Sequence, residues 1–181
     1  MSKFFRLRAI IDEESAVIDM TTHKKFSFTQ GIKFNEQIKL PVKFKLDSQL
    51  NVDFLPTTFL PEPVFREDFI LHLRSLGVKN FDDYEVEILY KNKKIKNNSK
   101  YRVINITSSI NCADLKKSQY EKFEDMYFFD KLVIESNKVS ADADIFRVGE
   151  AHEFIILTKK IADQINVKDF PDIQIIPVEQ G

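Results

Sequence analysis

Residues 24–47 read KKFSFTQGIKFNEQIKLPVKFKLD, and apolar side chains fall on alternate positions through most of it. Phe26 and Phe28 alternate with polar neighbours, and so do Ile32 and Phe34, Ile38 and Leu40, then Val42, Phe44 and Leu46. Successive strand side chains point to opposite faces, so this period of two belongs to strands with one wet face. A helix would scatter the same residues around its axis. Thr29–Gln30–Gly31 supplies a turn, and Pro41 marks an edge or a bend. KFFRLRAII, at 3–11, adds a strand with Phe5, Leu7 and Ala9 on one face and Lys3, Arg6 and Arg8 largely exposed.

The rest of the chain mixes strands with a little helix. Three prolines in FLPTTFLPEPVF, 54–65, exclude a helix interior and predict an extended crossing segment. In PVFREDFILHLRSLGV, 63–78, Phe65, Phe69, Leu73 and Leu76 take helical spacing, with Gly77 as the stop. YEVEILY and YRVINITSSI read as a hairpin whose long basic tip is KNKKIKNNSK, 91–100. DLKKSQYEKF, 114–123, is weakly helical, with Asp114 as its N-cap. DKLVIES, DIFRV, HEFIILTKK and PDIQIIPV are strands, with a short helix over 158–167 before the last. The pattern lacks regular strand–helix alternation. It predicts an α+β fold with mainly antiparallel sheet and a few short helices. Residues 1–60 form a β-rich region or sub-lobe and 61–181 an α+β domain, read together as one continuous unit.

Candidate chemistry is sparse. The 181 residues carry a net charge of −1, which weighs against a dedicated nucleic-acid binder and against an acidic mimic of nucleic acid. The one cysteine, Cys112, leaves no intramolecular disulfide, and the three histidines stand at no recognised ligand spacing, so no metal and no cofactor is expected. The start of the chain has no secretory pattern and no apolar run is long enough to span a membrane; a cytoplasmic protein is expected. Cys112 reads either as a nucleophile needing a histidine or as a small inert hydrophobe ending a strand. The paired acids Glu13/Glu14, Asp82/Asp83, Glu124/Asp125 and Asp142/Asp144 read as turn and surface residues. Residues 91–100 hold five lysines, Lys93 and Lys94 among them, which suit phosphates, an acidic protein partner or plain solvation.

The order of segments carries a resemblance. LRSLGVKNFDDYEVEI, YRVINITSSINCADLKKSQY, DKLVIESNKVSADADIFRV, FIILTKKIADQI and IQIIPV resemble an immunity-protein domain family of bacterial polymorphic toxin systems. The shared features are the strand ending near Cys112 and Asp114, Ser118 just beyond, and Ile145–Arg147, over roughly residues 50–180. The glycine-led segment that often precedes the last strand in that family is replaced here by NVKDFPD. The resemblance implies a non-enzymatic protein that binds and neutralises a cognate toxin domain, with no specific nucleic acid or membrane partner. Partner-binding candidates are then Asp114, Ser118, Arg147, Lys93 and Lys94, with exposed aromatics such as Tyr120 and Tyr127. The competing functions are an enzyme using Cys112 and a nucleic-acid accessory protein using the 91–100 loop.

Overall fold

The structure is a computed structural model that describes residues 2–10, 18–21, 27–46, 58–59, 62–95 and 100–181. In chain order the elements are β1 (Phe4–Ala9), β2 (Ile18–Thr21), β3 (Val42–Leu46), β4 (Thr58–Phe59), β5 (Val64–Arg66), α1 (Glu67–Ser75), β6 (Phe81–Tyr90), β7 (Lys93–Lys94) and β8 (Tyr101–Ile106). There follow β9 (Ser109–Ile110), β10 (Gln119–Phe123), β11 (Met126–Lys131), β12 (Val133–Ile134), β13 (Ile145–Val148), β14 (Ala151–Thr158), α2 (Lys159–Ala162) and β15 (Ile173–Gln180). Phe26, His23, Glu13, Glu14 and the 54–57 and 96–99 stretches fall outside the described residues.

Strands form a six-stranded sheet ordered β12-β15-β1-β14-β13-β9, a seven-stranded sheet ordered β2-β3-β6-β8-β5-β4 with β7 beside β6, and the separate hairpin β10-β11. The expected α+β class is therefore wrong: the fold is β-rich, and its sheets are mixed, with parallel pairs β12–β15, β13–β9 and β3–β6. The helical patterns are shorter than they read. Pro63 does not open a helix; Val64–Arg66 pairs with β8 first, and α1 starts at Glu67. The helix expected over 158–167 is one turn, Lys159–Ala162. Asp114–Phe123 is a turn running into a strand.

Residues 27–41 also depart from expectation. Their alternation forms no strand; they make an irregular arm. Phe28 and Ile38 are buried while Ile32 and Leu40 are exposed. The arm covers one face of the seven-stranded sheet, where Phe28, Ile38, Val42, Phe44, Val64, Ile88 and Val103 share a core. On the other face α1 buries Phe69, Ile70 and Leu73. They meet Phe81 and Ile104 of this sheet and Leu7, Ile145, Ile155 and Leu157 of the six-stranded one. Phe69 stacks on Phe65 at 5.3 Å and meets Phe170 edge-on at 5.0 Å. Gly77 ends the helix at φ +85°, a conformation glycine takes without steric cost. The far face of the six-stranded sheet buries Phe4, Phe146, Phe154 and Ile156 with Cys112 and Ile134.

Two charged groups, Asp83 partly buried and Arg147 fully buried, tie neighbouring elements. Asp83 of β6 accepts from Arg74 of α1 and from Arg102 of β8. Burial works to raise its carboxyl, but the two guanidinium bonds and their charges outweigh it and hold Asp83 below the usual range. Arg147, 1% exposed on β13, donates to the carbonyls of His152 and of Phe28 in the arm. Asn105 of β8, fully buried, donates to Ile32 O of the arm at 2.8 Å.

Candidate functional site

The sequence-derived candidates do not assemble into a common site. Asp114 stays at a local turn: its Oδ1 accepts from the backbone N–H of Lys116 and Lys117 at 3.1 and 3.2 Å, and Lys117 Nζ lies 3.5 Å from its Oδ2. Ser118 Oγ accepts from Val133 N–H at 2.9 Å. Both side chains therefore fix chain segments rather than face outward. Arg147 is sealed inside as described, and burial lowers its pKa to about 10 against the favourable charges of Glu62 and Glu153. Arg147 is thus placed in the interior, its Nη1 and Nη2 on backbone carbonyls, while Asp114 and Ser118 sit in the turn that leads into β10, with Asp114 divided between backbone N–H groups and Lys117.

Lys93 and Lys94 are exposed at the end of β6–β7, but Lys94 shares Glu87 with Lys43 of the neighbouring strand, at 3.0 and 3.4 Å. Cys112 is fully buried in the far core, where burial, then the charge of Glu150, pushes its thiol up to about 12. A thiol so held stays protonated at neutral pH and is a poor nucleophile. His72 sits 3.1 Å from Gln164 O and against the Phe170 ring, and His152 lies exposed on β14. Among the described residues, no group of three His, Cys, Asp or Glu side chains could hold a metal, and no helix is long and apolar enough to cross a membrane.

What the structure does build is the hairpin β10–β11. Its register pairs Tyr120 with Phe129, Glu121 with Phe128, Lys122 with Tyr127 and Phe123 with Met126. Alternation then divides it into two faces. The inner face is a ladder of rings. Arg6 lies 3.7 Å above the Phe154 ring on β14, and Phe129 meets Phe154 edge-on at 6.0 Å. Tyr120 packs on Phe129 at 5.5 Å, Tyr127 on Tyr120 at 5.3 Å, and Lys122 Nζ closes the ladder 5.0 Å from the Tyr127 ring. Arg6, expected in solvent, is the first rung. Tyr120 and Tyr127, expected as exposed anchors, are half-buried props. The root of the hairpin is held by Ser118 on Val133 and by the Asp114 turn just before it.

The outer face carries Phe123, Met126 and Phe128, which are 64, 53 and 51% exposed. Sequence reasoning passed over all three. The turn between the strands is Glu124–Asp125, with Glu124 at φ 52°, and lacks the Asn-Gly or Asp-Gly pair that announces a tight hairpin. The usable signal was the alternation Tyr127, Phe129 against Met126, Phe128. No protein-family model matches the chain, and no curated protein matches it in sequence.

Proposed function

We propose that this protein works by gripping another polypeptide with the outer face of the β10–β11 hairpin, and that the partner is a toxin domain it neutralises stoichiometrically. The observation that carries the reading is the clustering of Phe123, Met126 and Phe128 on one outward face. Aromatic and methionine side chains are the ones enriched at the centres of protein interfaces. The ring ladder behind them braces the hairpin, which lowers the ordering cost of binding. The toxin enters through the segment resemblance, whose segments 101–120 and 130–148 flank the hairpin without including Phe123, Met126 or Phe128.

The test is co-expression with the neighbouring open reading frame. The neighbour's product is expected to be toxic alone and harmless beside this protein, and toxic again beside the Phe123→Ser/Phe128→Ser variant at equal soluble level. A neighbour that is harmless alone, or toxic beside the unmodified protein, removes the toxin reading. Full protection by the double variant removes the hairpin from it.

A further inference from the structure

We propose that the polypeptide received by the hairpin presents an apolar pocket ringed by lysine or arginine. This rests on the docking role of the outer face and adds the chemistry of what covers it. Residues 119–131 hold four carboxylates, Glu121, Glu124, Asp125 and Asp130, against two lysines, a net of −2 in a chain whose total is −1. All four carboxylate residues are exposed, and among the described residues no ion pair engages them. Glu121 pairs with Phe128 on the outer face, Asp130 is exposed at the bulge next to it, and Glu124 and Asp125 form the tip. The lysines are drawn away from it: Lys122 lies over Tyr127 on the inner face, and Lys131 Nζ is 2.8 Å from Glu179. The result is three apolar side chains inside an uncompensated acidic rim. A cationic surround is the complement, because it speeds encounter and rejects partners of the wrong sign.

The same rim argues against two other occupants. A second copy docking face to face would bring four carboxylates against four, a repulsion that no cation on the outer face offsets. Entry of the tip into a bilayer would carry Glu124 and Asp125 toward lipid headgroups whose anionic members repel them.

Three synthetic amphipathic peptides with one shared leucine face, and lysine, glutamine or glutamate on the other, separate the contributions. Their affinity for the full chain would be read by fluorescence anisotropy at low and high salt. The lysine peptide is expected to bind at least about tenfold more tightly than the glutamate peptide at low salt, with the gap closing as salt screens it. The Glu121→Gln/Glu124→Gln/Asp125→Asn/Asp130→Asn variant should bind all three alike, and Phe123→Ser/Phe128→Ser should bind none. Equal affinities for the unmodified protein would overturn the cationic partner while leaving the docking face in place. Failure to bind any peptide, or binding that survives the phenylalanine changes, would overturn both. Cosedimentation with phosphatidylcholine or phosphatidylserine vesicles, or dimerisation lost in the phenylalanine variant, would overturn the proposal in favour of lipid or a second copy.

Discussion

The arm at 27–38 and the hairpin at 119–131 are both apolar-alternating segments outside the main sheets, yet they end in opposite states. The arm turns Phe28 and Ile38 inward; the hairpin turns Phe123, Met126 and Phe128 out. The difference lies in the backbone. The two hairpin strands satisfy each other's N–H and C=O groups through their own ladder, so only the inner face is needed for anchoring. The arm forms no ladder. Its carbonyls at Phe28 and Ile32 must find donors elsewhere, and the fold supplies buried ones, Arg147 and Asn105. A segment that pairs with itself can leave a face free for a partner. A segment that borrows donors from the core is committed to it.

The strongest way to break this contrast is Arg147→Met. It keeps the apolar stem but leaves Phe28 O and His152 O without their donor and Glu62 without its nearby cation. Removing one member of a buried charged network costs about 3–5 kcal/mol. For a chain of this length the melting temperature should fall by roughly 6–20 °C. A fall of less than about 2 °C in calorimetry would mean that Phe28 burial alone holds the arm.

Asp83 asks whether α1 is tied in the same manner. Asp83→Asn removes the charge that Arg74 and Arg102 share, and should cost about 1.5–3 kcal/mol at neutral pH. The sign with pH follows from its depressed folded pKa. The contribution is present above the ordinary carboxylate pKa of the unfolded chain and is lost as pH falls through the lower folded value. Urea midpoints of the unmodified protein and Asp83→Asn should therefore converge on acidification; parallel curves would discard the tie. Gly31→Ala returns to the arm. Gly31 has φ +72°, and an added Cβ would stand 2.8 Å from Ser109 Cβ. The left-handed backbone alone costs a side chain about 1–2 kcal/mol. Stability unchanged in urea would show that the arm is free to shift away from β9.

Much of this was legible in residue order. The strand around Val86 is legible from its alternation and the one around Ile156 from its apolar run, those around Val103, Phe146 and Ile175 are expected and found, and Gly77 is legible from its place after a helical stripe. What failed were segments in which two periodicities compete. Leu115, Tyr120 and Phe123 suit a helix in isolation, but Asp114 caps only a turn, and pairing with Met126–Lys131 wins. Even-numbered apolar residues from Phe28 to Leu40 suit a strand, but a buried arginine and asparagine took over the arm's carbonyls. Arg147 could not be assigned from sequence, because an arginine that spends its guanidinium on backbone oxygens looks like any exposed cation until its neighbours are known. The docking face was missed for a related reason: an outward Phe is indistinguishable from an inward one without the register.

The smallest expected effect is the most discriminating. If the outer face of the hairpin has no structural duty, Phe123→Ser/Phe128→Ser should change folding stability by less than about 0.5 kcal/mol per site, as surface changes do. Phe129→Ala, one residue away on the inner face, removes the ring joining the hairpin to Phe154 and, because Phe129 is only partly buried, should cost about 1.5–3 kcal/mol. Phe128 and Phe129 are neighbours on β11 and Phe123 lies across the turn on β10, so both variants delete the same kind of side chain from one hairpin. Thermal melts of both variants measure what facing in rather than out is worth. A double variant as destabilised as Phe129→Ala would mean that Phe123 and Phe128 serve the fold, and the contrast between a committed arm and a free hairpin face would collapse.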